Sequence, residues 1–226
     1  MTLKLIIGNK NYSSWSLRPW IAMKVAGIPF EEQVIPLYEP GSREQVLKCS
    51  PAGKVPVLID DGQPIWESLA ILEYLAEKFP KVGLWPADPR ARGHARVVAH
   101  EMHGGFQALR RNCPMNLWLP HRQRPQPDEA MADVRRIDAL WSDCRARFGQ
   151  GGAFLFGAFG AADAMYAPVV SRLHSYGLEV GSAAHAYMDA VMALPAWAAW
   201  RDAALKETWV MQGNEPDWPL VRGKQI

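Results

Sequence analysis

The chain begins with an apolar run, Leu3-Lys4-Leu5-Ile6-Ile7, and a polar turn follows at once, Asn11-Tyr12-Ser13-Ser14-Trp15-Ser16. Residues 16–27 then predict a helix that Gly27 and Pro29 bring to an end. Because the apolar run predicts a buried strand, the hydroxyl groups lie where a strand turns into a helix. Backbone N–H groups and the positive end of the helix dipole meet at such a turn. The opening residues therefore predict a place that can hold an anion.

The segments that follow complete a small α+β domain. Residues 31–36 predict a second strand, and a strand-helix-strand unit implies parallel strands with a right-handed crossover. Residues 42–49 predict a short helix. The runs 57–59 and 64–66 flank an Asp-Gly pair, which favours an antiparallel hairpin. Residues 67–79 place apolar side chains on one helical face, so the predicted order is βαβ followed by ββα.

The composition changes after this domain. Residues 79–89 are rich in proline and polar side chains and predict a linker, and no later segment has the pattern of a strand. Helical patterns cover residues 89–113, 128–149, 161–176, 183–193 and 196–207, with a predicted loop at 114–127. The sequence therefore predicts an α+β domain at residues 1–80, a linker at 81–88 and an all-helical domain at 89–226.

The bulk properties argue against several classes of function. A net charge of +2 over 226 residues gives no reason to expect nucleic acid or an anionic membrane as a partner, and the apolar stretches are too short to predict a membrane span. The three cysteines lie far apart without metal-ligand spacing, so we expect a reducing cytoplasm. His100 and His103 are three residues apart rather than four, which argues against a zincin-type site and predicts a protein without a metal.

Taken in order, several short motifs resemble those of the cytosolic glutathione transferases. They are the loop Ser13-Ser14-Trp15-Ser16, the Val55-Pro56 step, the Glu67-Ser68 pair, the linker Leu84-Trp85-Pro86-Ala87-Asp88-Pro89 and the segment Ala162-Asp163-Ala164-Met165. The resemblance covers nearly the whole chain. It implies a thioredoxin-like α+β domain that binds glutathione, followed by an all-α domain.

The loop is most similar to that of the serine-type bacterial members and of the zeta class, which carry Ser-Ser-Cys-Ser there. Trp15 replaces that cysteine in this chain, which excludes thiol-based redox chemistry at the position and weakens the case for a zeta-type isomerase. The segment Glu101-Met102-His103 is similar to one of the beta class, in which the histidine reaches toward the thiol from the helical domain.

By this resemblance, Ser13 donates a hydrogen bond to the sulfur of glutathione, and Ser14 is the alternative donor. A free thiol has a pKa of about 8.5, so only a few per cent is ionised near neutrality, and a hydroxyl donor would raise that fraction. The residues alone leave another interpretation open, in which these serines only cap the helix.

The resemblance also implies the other glutathione-binding residues. Val55-Pro56 corresponds to a cis-proline step that presents the backbone of Val55 to glutathione, although a trans proline on an edge strand fits the same residues. Lys54 is a candidate for a carboxylate of glutathione or an ordinary surface lysine. Ser68 suits the γ-glutamyl carboxylate, and Glu67 suits the γ-glutamyl ammonium group or simply balances the helix dipole.

The candidates for an acceptor pocket are aromatic, and each of them fits a hydrophobic core equally well. They are Tyr12, Trp15, His103 and Tyr166. Asp163 is predicted to cap a helix, but Gly160 stands where the usual serine or threonine partner would be.

The resemblance implies a glutathione transferase in which the sulfur attacks a small hydrophobic electrophile. Two alternatives stay open: a glutathione-dependent cis–trans isomerase of the maleylacetoacetate isomerase type, and a non-catalytic module of this fold that binds partner proteins. The family also implies glutathione as co-substrate, a cytoplasmic homodimer and a role in detoxification.

Overall fold

The structure, a computed structural model, describes residues 3–211. Four strands form one mixed sheet in the order β2-β1-β3-β4. The strands are β1 (Leu3–Ile7), β2 (Phe30–Val34), β3 (Val57–Asp60) and β4 (Gln63–Trp66). β1 runs parallel to β2 and antiparallel to β3, and β3 forms an antiparallel hairpin with β4. The predicted thioredoxin-like fold and the predicted strand directions are confirmed.

Three helices complete this domain. They are α1 (Ser14–Val25), α2 (Ser42–Leu47) and α3 (Ser68–Lys78). α1 begins earlier than the predicted residue 16 because the Ser13 side chain accepts a hydrogen bond from the N–H of Ser16 and so caps the helix at residue 13. The polar turn therefore leads straight into α1, as the sequence predicts.

The rest of the described chain is helical, which confirms the predicted all-α domain. Its helices are α4 (Pro89–Gly104), α5 (Gln107–Asn112), α6 (Asp128–Phe148), α7 (Ala161–Tyr176), α8 (Ser182–Met192) and α9 (Pro195–Leu205). A 3-10 turn at Pro80–Val82 lies at the start of the predicted linker. The part of the predicted helical domain from residue 212 to residue 226 lies outside the described residues.

The single helix predicted for residues 89–113 is wrong, because the chain breaks between α4 and α5. The N–H of Gly105 donates to the carbonyl of Glu101 and closes α4, and Phe106 then takes a left-handed conformation with φ +57°. A Cβ at position 105 would lie 2.6 Å from the Glu101 carbonyl oxygen. Glycine therefore permits a close turn that helical periodicity does not reveal.

Asp163 caps α7, and the structure explains the unusual glycine beside it. The carboxylate is fully buried and accepts hydrogen bonds from the N–H groups of Gly160, at 2.8 Å, and Leu155, at 3.0 Å. Burial raises the pKa of Asp163 to about 6. A Cβ at position 160 would lie 2.7 Å from the carbonyl oxygen of Leu84, so the linker backbone occupies the place of the missing capping side chain.

One hydrophobic core extends through both domains. Leu5 of β1 and Leu17 of α1 belong to the same buried cluster as Met165 and Tyr166 of α7, and α1 packs directly against α7. The helix that begins at the polar turn is therefore held between the sheet and the helical domain. None of the helices within residues 3–211 combines the length and the apolar composition that a membrane span requires.

Candidate functional site

Most of the residues predicted to bind glutathione meet at one cleft. The cleft lies where α1 begins, where the chain enters β3 and where α3 begins. A cavity of about 810 Å³ is lined by Tyr12, Ser13, Ser14, Trp15, Lys54 and Val55, among others. A second cavity of about 380 Å³ shares part of that wall and is lined by Trp15, Lys54, Val55, Pro56, Trp66, Glu67, Ser68 and His103.

Ser13 is buried at the N-terminus of α1 and is already hydrogen-bonded. Its hydroxyl donates to Oγ of Ser16 at 2.7 Å and accepts from the N–H of Ser16 at 3.4 Å. Oγ of Ser16 in turn accepts from the N–H of Gly8 at 3.0 Å. The predicted capping role is therefore present, and the same contacts hold the Ser13 hydroxyl in place on the cavity wall.

Ser14 is the first residue of α1 and is also largely buried on the wall of the larger cavity. Its N–H donates to the carbonyl of Tyr12 at 2.9 Å. Its hydroxyl makes no hydrogen bond to any residue that the structure describes. Both serines therefore present an oxygen near the start of the helix, where the dipole favours negative charge.

The Val55-Pro56 peptide bond is cis, as predicted. Val55 precedes β3 and lines both cavities. Within residues 3–211, neither its N–H nor its carbonyl has a backbone partner, so both can pair with an extended peptide. Lys54 is exposed beside it, and its N–H donates to Oγ of Ser50 at 3.3 Å.

Glu67 and Ser68 form the start of α3 on the wall of the smaller cavity. Ser68 is 1% exposed, and its hydroxyl has no hydrogen-bond partner among the described residues. A buried hydroxyl without a partner is costly, which favours a ligand at this point. Glu67 has φ +67°, an uncommon conformation for a residue other than glycine and one that clusters at functional sites.

Trp15 separates the cavities from buried positive charge. The guanidinium carbons of Arg18 and Arg110 lie 4.1 Å and 4.8 Å from the centre of its ring. Arg18 is fully buried, and burial together with the charges of Arg110 and Arg172 lowers its pKa. Both terminal nitrogens of Arg18 lack a hydrogen-bond partner in the described part of the chain. This uncompensated charge favours an anion on the cavity side of Trp15.

His103 lies between Trp15 and Glu67 on the wall of the smaller cavity. Its ring lies edge-on to Trp15, with centroids 5.3 Å apart, and its Nε2 is 3.8 Å from a carboxylate oxygen of Glu67. Burial lowers the pKa of His103, although the charge of Glu67 acts in the opposite direction. Burial therefore favours the neutral form of the ring.

The two predicted tyrosines lie in different places. Tyr12 lines the larger cavity and packs edge-on against Trp118, with ring centroids 5.4 Å apart. Tyr166 is fully buried in the helical domain, where its hydroxyl donates to the carbonyl of Val98 at 3.1 Å and its ring packs on Trp141. Tyr166 is therefore a core residue. It lines neither cavity, so the structure does not support the expectation that it belongs to an acceptor pocket.

The structure adds cavity residues that the sequence did not indicate. Tyr38 is 80% exposed with φ +64°, and it lines the larger cavity together with Arg43 of α2 and Met211. None of them belongs to a motif, because the turn before α2 and the far end of the described chain bring them to the cleft. Arg43 adds a cation near Lys54, where a carboxylate of a ligand would be stabilised.

Known proteins are similar to this chain in both domains. Family models for the glutathione S-transferase N-terminal domain and C-terminal domain match residues 12–78 and 118–203. A glutathione S-transferase of Triticum aestivum is 27% identical over 241 residues, which cover 98% of this chain and 99% of that protein. A probable maleylacetoacetate isomerase of Caenorhabditis elegans is 40% identical over 97 residues, but these cover only 43% of this chain and 45% of the nematode protein.

The fold has close counterparts among solved structures. A glutathione transferase homolog from Burkholderia gl BGR1, solved with bound glutathione, matches with a TM-score of 0.67 and 22% identity over 90% of this chain and 98% of that one. At this identity the likeness shows the fold alone. The two domain models, matched in order, cover most of the chain, and the protein belongs to the glutathione S-transferase family.

Proposed function

We propose that the protein transfers glutathione to a small hydrophobic electrophile by attack of the glutathione sulfur. The observation that carries this proposal is the meeting of three suitable groups in one cleft. These groups are the serine pair at the start of α1, the free backbone of Val55 and the unpartnered hydroxyl of Ser68. Membership of the glutathione S-transferase family supports the same chemistry.

In this proposal the tripeptide lies in the cleft beside the starts of β3 and α3. Val55 lies just before the cis bond to Pro56 that leads into β3. Its N–H and carbonyl pair with the cysteinyl backbone of glutathione. The Ser68 hydroxyl binds the γ-glutamyl carboxylate, and Glu67 binds the γ-glutamyl ammonium group. Lys54 faces a carboxylate. Binding at several points positions the thiol beside the start of α1.

Ser13 is the proposed donor to the sulfur. A hydroxyl proton rotates to suit its partners. The Ser16 hydroxyl can therefore donate to Oγ of Ser13 while Oγ of Ser16 still accepts from the N–H of Gly8. That arrangement turns the Ser13 proton toward the cavity and stabilises a thiolate. Ser14, whose hydroxyl is free within the described residues, is the competing donor. The α1 dipole and the charge behind Trp15 act in the same direction.

Tyr12, Trp15 and His103 are the proposed walls of the acceptor pocket. Tyr12 and Trp15 line the larger cavity beside the serines, and His103 lines the smaller cavity against Trp15. They present aromatic surface, which suits a hydrophobic electrophile. A glutathione-dependent cis–trans isomerase is the second candidate function. The nematode relative described as a probable maleylacetoacetate isomerase favours it, while tryptophan at position 15 favours simple transfer.

We also propose a cytoplasmic homodimer with a role in detoxification, as the family resemblance implies. The exposed apolar side chains of Trp66 on β4 and Val97 on α4, 38% and 59% exposed, support a further contact surface. Light scattering of the purified chain tests this assembly, and a monomer at micromolar concentration would contradict it.

Calorimetry with glutathione, followed by turnover assays, tests the proposed reaction. We expect saturable binding, retention on immobilised glutathione with release by the free tripeptide, and conjugation of a generic aryl halide. A maleyl-type diacid with glutathione tests the isomerase reaction. No binding at millimolar glutathione would contradict both enzyme functions and leave the non-catalytic module. Binding without conjugation or isomerisation would leave the protein as a glutathione-binding module.

A further inference from the structure

A carboxylate from the far end of the described chain binds the backbone of the loop that leads into the site. The loop consists of residues 9–13 and is called the 9–13 loop below. The N–H of Lys10 donates to Oε1 of Glu207 at 2.7 Å, and the N–H of Asn11 donates to Oε2 at 2.9 Å. A single side chain therefore holds two successive N–H groups with both of its oxygens.

The loop itself has no acceptor for these two groups. The N–H groups of Tyr12 and Ser13 donate to the carbonyl of Asn9, at 3.3 Å and 2.8 Å, and so turn the chain into α1. Those of Lys10 and Asn11 point away from that turn, toward the helical domain. Without Glu207 they would have to find water, and the loop would lose two of the hydrogen bonds that fix its position.

Glu207 lies just after α9, and neighbouring side chains join the same two regions. Its own N–H donates to the carbonyl of Ala204 at 3.2 Å. Nε1 of Trp200 on α9 donates to the carbonyl of Lys10 at 2.9 Å, so the loop is held on both its N–H and its carbonyl side. The chain then continues to Met211, which lines the larger cavity. Segment 207–211 therefore connects the 9–13 loop with the wall of the larger cavity.

The charges around Glu207 keep it directed at the loop. Burial raises its pKa, and the two N–H groups and the charge of Lys10 oppose that rise, while Glu32 adds to it. The Lys10 ammonium group is itself paired with Glu32 at 2.6 Å. The backbone N–H groups are therefore the main partners of the Glu207 carboxylate.

We propose that Glu207 is a positioning residue for the transfer reaction: it fixes the 9–13 loop so that the serine at the start of α1 meets the glutathione sulfur. The inference rests on the proposed function and adds to it a long-range control of the reacting end of the site. Glu207 lines neither of the two cavities, so in this proposal it acts through the loop and not by contact with the tripeptide or the electrophile.

We call the two hydrogen bonds from the N–H groups of Lys10 and Asn11 to Glu207 the clamp. Its loss should affect thiolate stabilisation more than affinity, because the proposed contacts with the tripeptide backbone lie on other elements. Val55, Glu67 and Ser68 belong to the β3 entry and to α3, which Glu207 does not touch. Loss of the clamp should therefore leave glutathione affinity within about two-fold. It should weaken thiolate stabilisation, and a rise of one unit in the pKa of the bound thiol lowers the thiolate fraction up to about ten-fold at a pH below that pKa.

The test uses the full chain with Glu207→Ala and Glu207→Gln. An amide keeps one acceptor oxygen and places an NH₂ group against the second N–H, so the glutamine variant should lose one of the two bonds. Glu129→Ala is the matched control for a lost carboxylate, because Glu129 is exposed and bonds only Arg111 in the described chain. Val134→Ala is the control for lost stability, because Val134 is buried in α6 away from the loop.

Three quantities are measured for each variant: glutathione affinity by calorimetry, the pKa of the bound thiol from thiolate absorbance, and kcat against KM for conjugation. We expect Glu207→Ala to raise the pKa of the bound thiol by about one unit. At a pH below that pKa, kcat should fall about ten-fold, with glutathione affinity nearly unchanged. Glu207→Gln should fall between Glu207→Ala and the wild type. Both controls should keep the wild-type thiol pKa.

An unchanged thiol pKa and kcat in both Glu207 variants would overturn the inference, as would an equal change in Val134→Ala. A failure of Glu207→Ala to fold leaves the glutamine variant to decide between these outcomes. Absence of glutathione binding or turnover in the wild type is a different result, because it contradicts the proposed function itself.

Discussion

The two ends of the cleft are held in different ways. We call residues 54–56 and 67–68 the recognition end and residues 9–16 the thiol end. The recognition end consists of short local features, a cis peptide bond before β3 and a residue with positive φ before α3. The thiol end depends on distant partners. For example, the side chain of Asn11 accepts from the N–H groups of Leu117 and Trp118 and donates to Asn116.

This difference implies a division of work. In the proposed complex, local features fix where the tripeptide backbone lies, and contacts with the helical domain fix where its sulfur meets a hydroxyl group. Substitutions at the recognition end should therefore change affinity, and substitutions at the thiol end should change ionisation and stability.

Asn11→Ala should have the strongest consequence. Asn11 is fully buried and accepts from the N–H groups of Leu117 and Trp118. Its loss removes both bonds and leaves the N–H of Leu117 without an acceptor in the described chain, whereas the N–H of Trp118 keeps its bond to Oδ1 of Asn116 at 3.0 Å. We expect the free energy of unfolding to fall by about 2–4 kcal/mol, from more than one lost buried hydrogen bond. Denaturant titration measures it. A loss below about 0.5 kcal/mol, typical of a surface site, would show that the thiol end does not depend on this anchor.

Ser68→Ala should mainly reduce affinity. A hydrogen bond to a charged group contributes about 1.5–3 kcal/mol, so the dissociation constant for glutathione should rise roughly ten- to one-hundred-fold. The thiol pKa of the remaining complex should not change. Glu77→Ala, an exposed position on the same helix, is the control. Unchanged affinity would mean that the unpartnered Ser68 hydroxyl does not bind the tripeptide.

Replacing each of the two serines at the start of α1 should change the free energy of unfolding by different amounts. Ser13 caps α1 whereas the hydroxyl of Ser14 has no partner in the described chain, so Ser13→Ala should cost about 1 kcal/mol of unfolding free energy. Ser14→Ala should be nearly neutral. Thermal or denaturant unfolding of the two variants measures the difference, and equal losses would contradict the capping role.

Replacing His103 should give the smallest change, a change in how stability depends on pH. The sign of that dependence follows from the burial of the ring. Its folded-state pKa is lowered below the unfolded value of about 6.5, so its contribution to stability is complete above that pH and is lost as the pH falls through the folded value. His103→Gln lacks this dependence. The stability advantage of the wild type over the variant should therefore shrink between about pH 7.5 and pH 5. An advantage that grows on acidification would mean that Glu67 outweighs burial.

The contrast between the two ends also explains what could be predicted from the sequence. The strands and most helices follow from short-range patterns, and the cis step at Val55 follows from the family resemblance; the structure confirms them. Tyr166 was misplaced because α7 is buried on nearly every side, so its periodicity does not identify a pocket face. The Asn11 and Glu207 contacts join residues more than a hundred positions apart, and no local pattern encodes them.

Titration of the thiol in bound glutathione tests the proposed role of Ser13 most directly. Thiolate absorbance is followed against pH for the wild type, Ser13→Ala and Ser14→Ala, each saturated with glutathione. We expect a wild-type pKa well below the free value of about 8.5 and a rise of about one unit in Ser13→Ala alone. A wild-type pKa equal to that of free glutathione would contradict thiolate stabilisation in this cleft. A rise in Ser14→Ala alone would move the donor from Ser13 to Ser14.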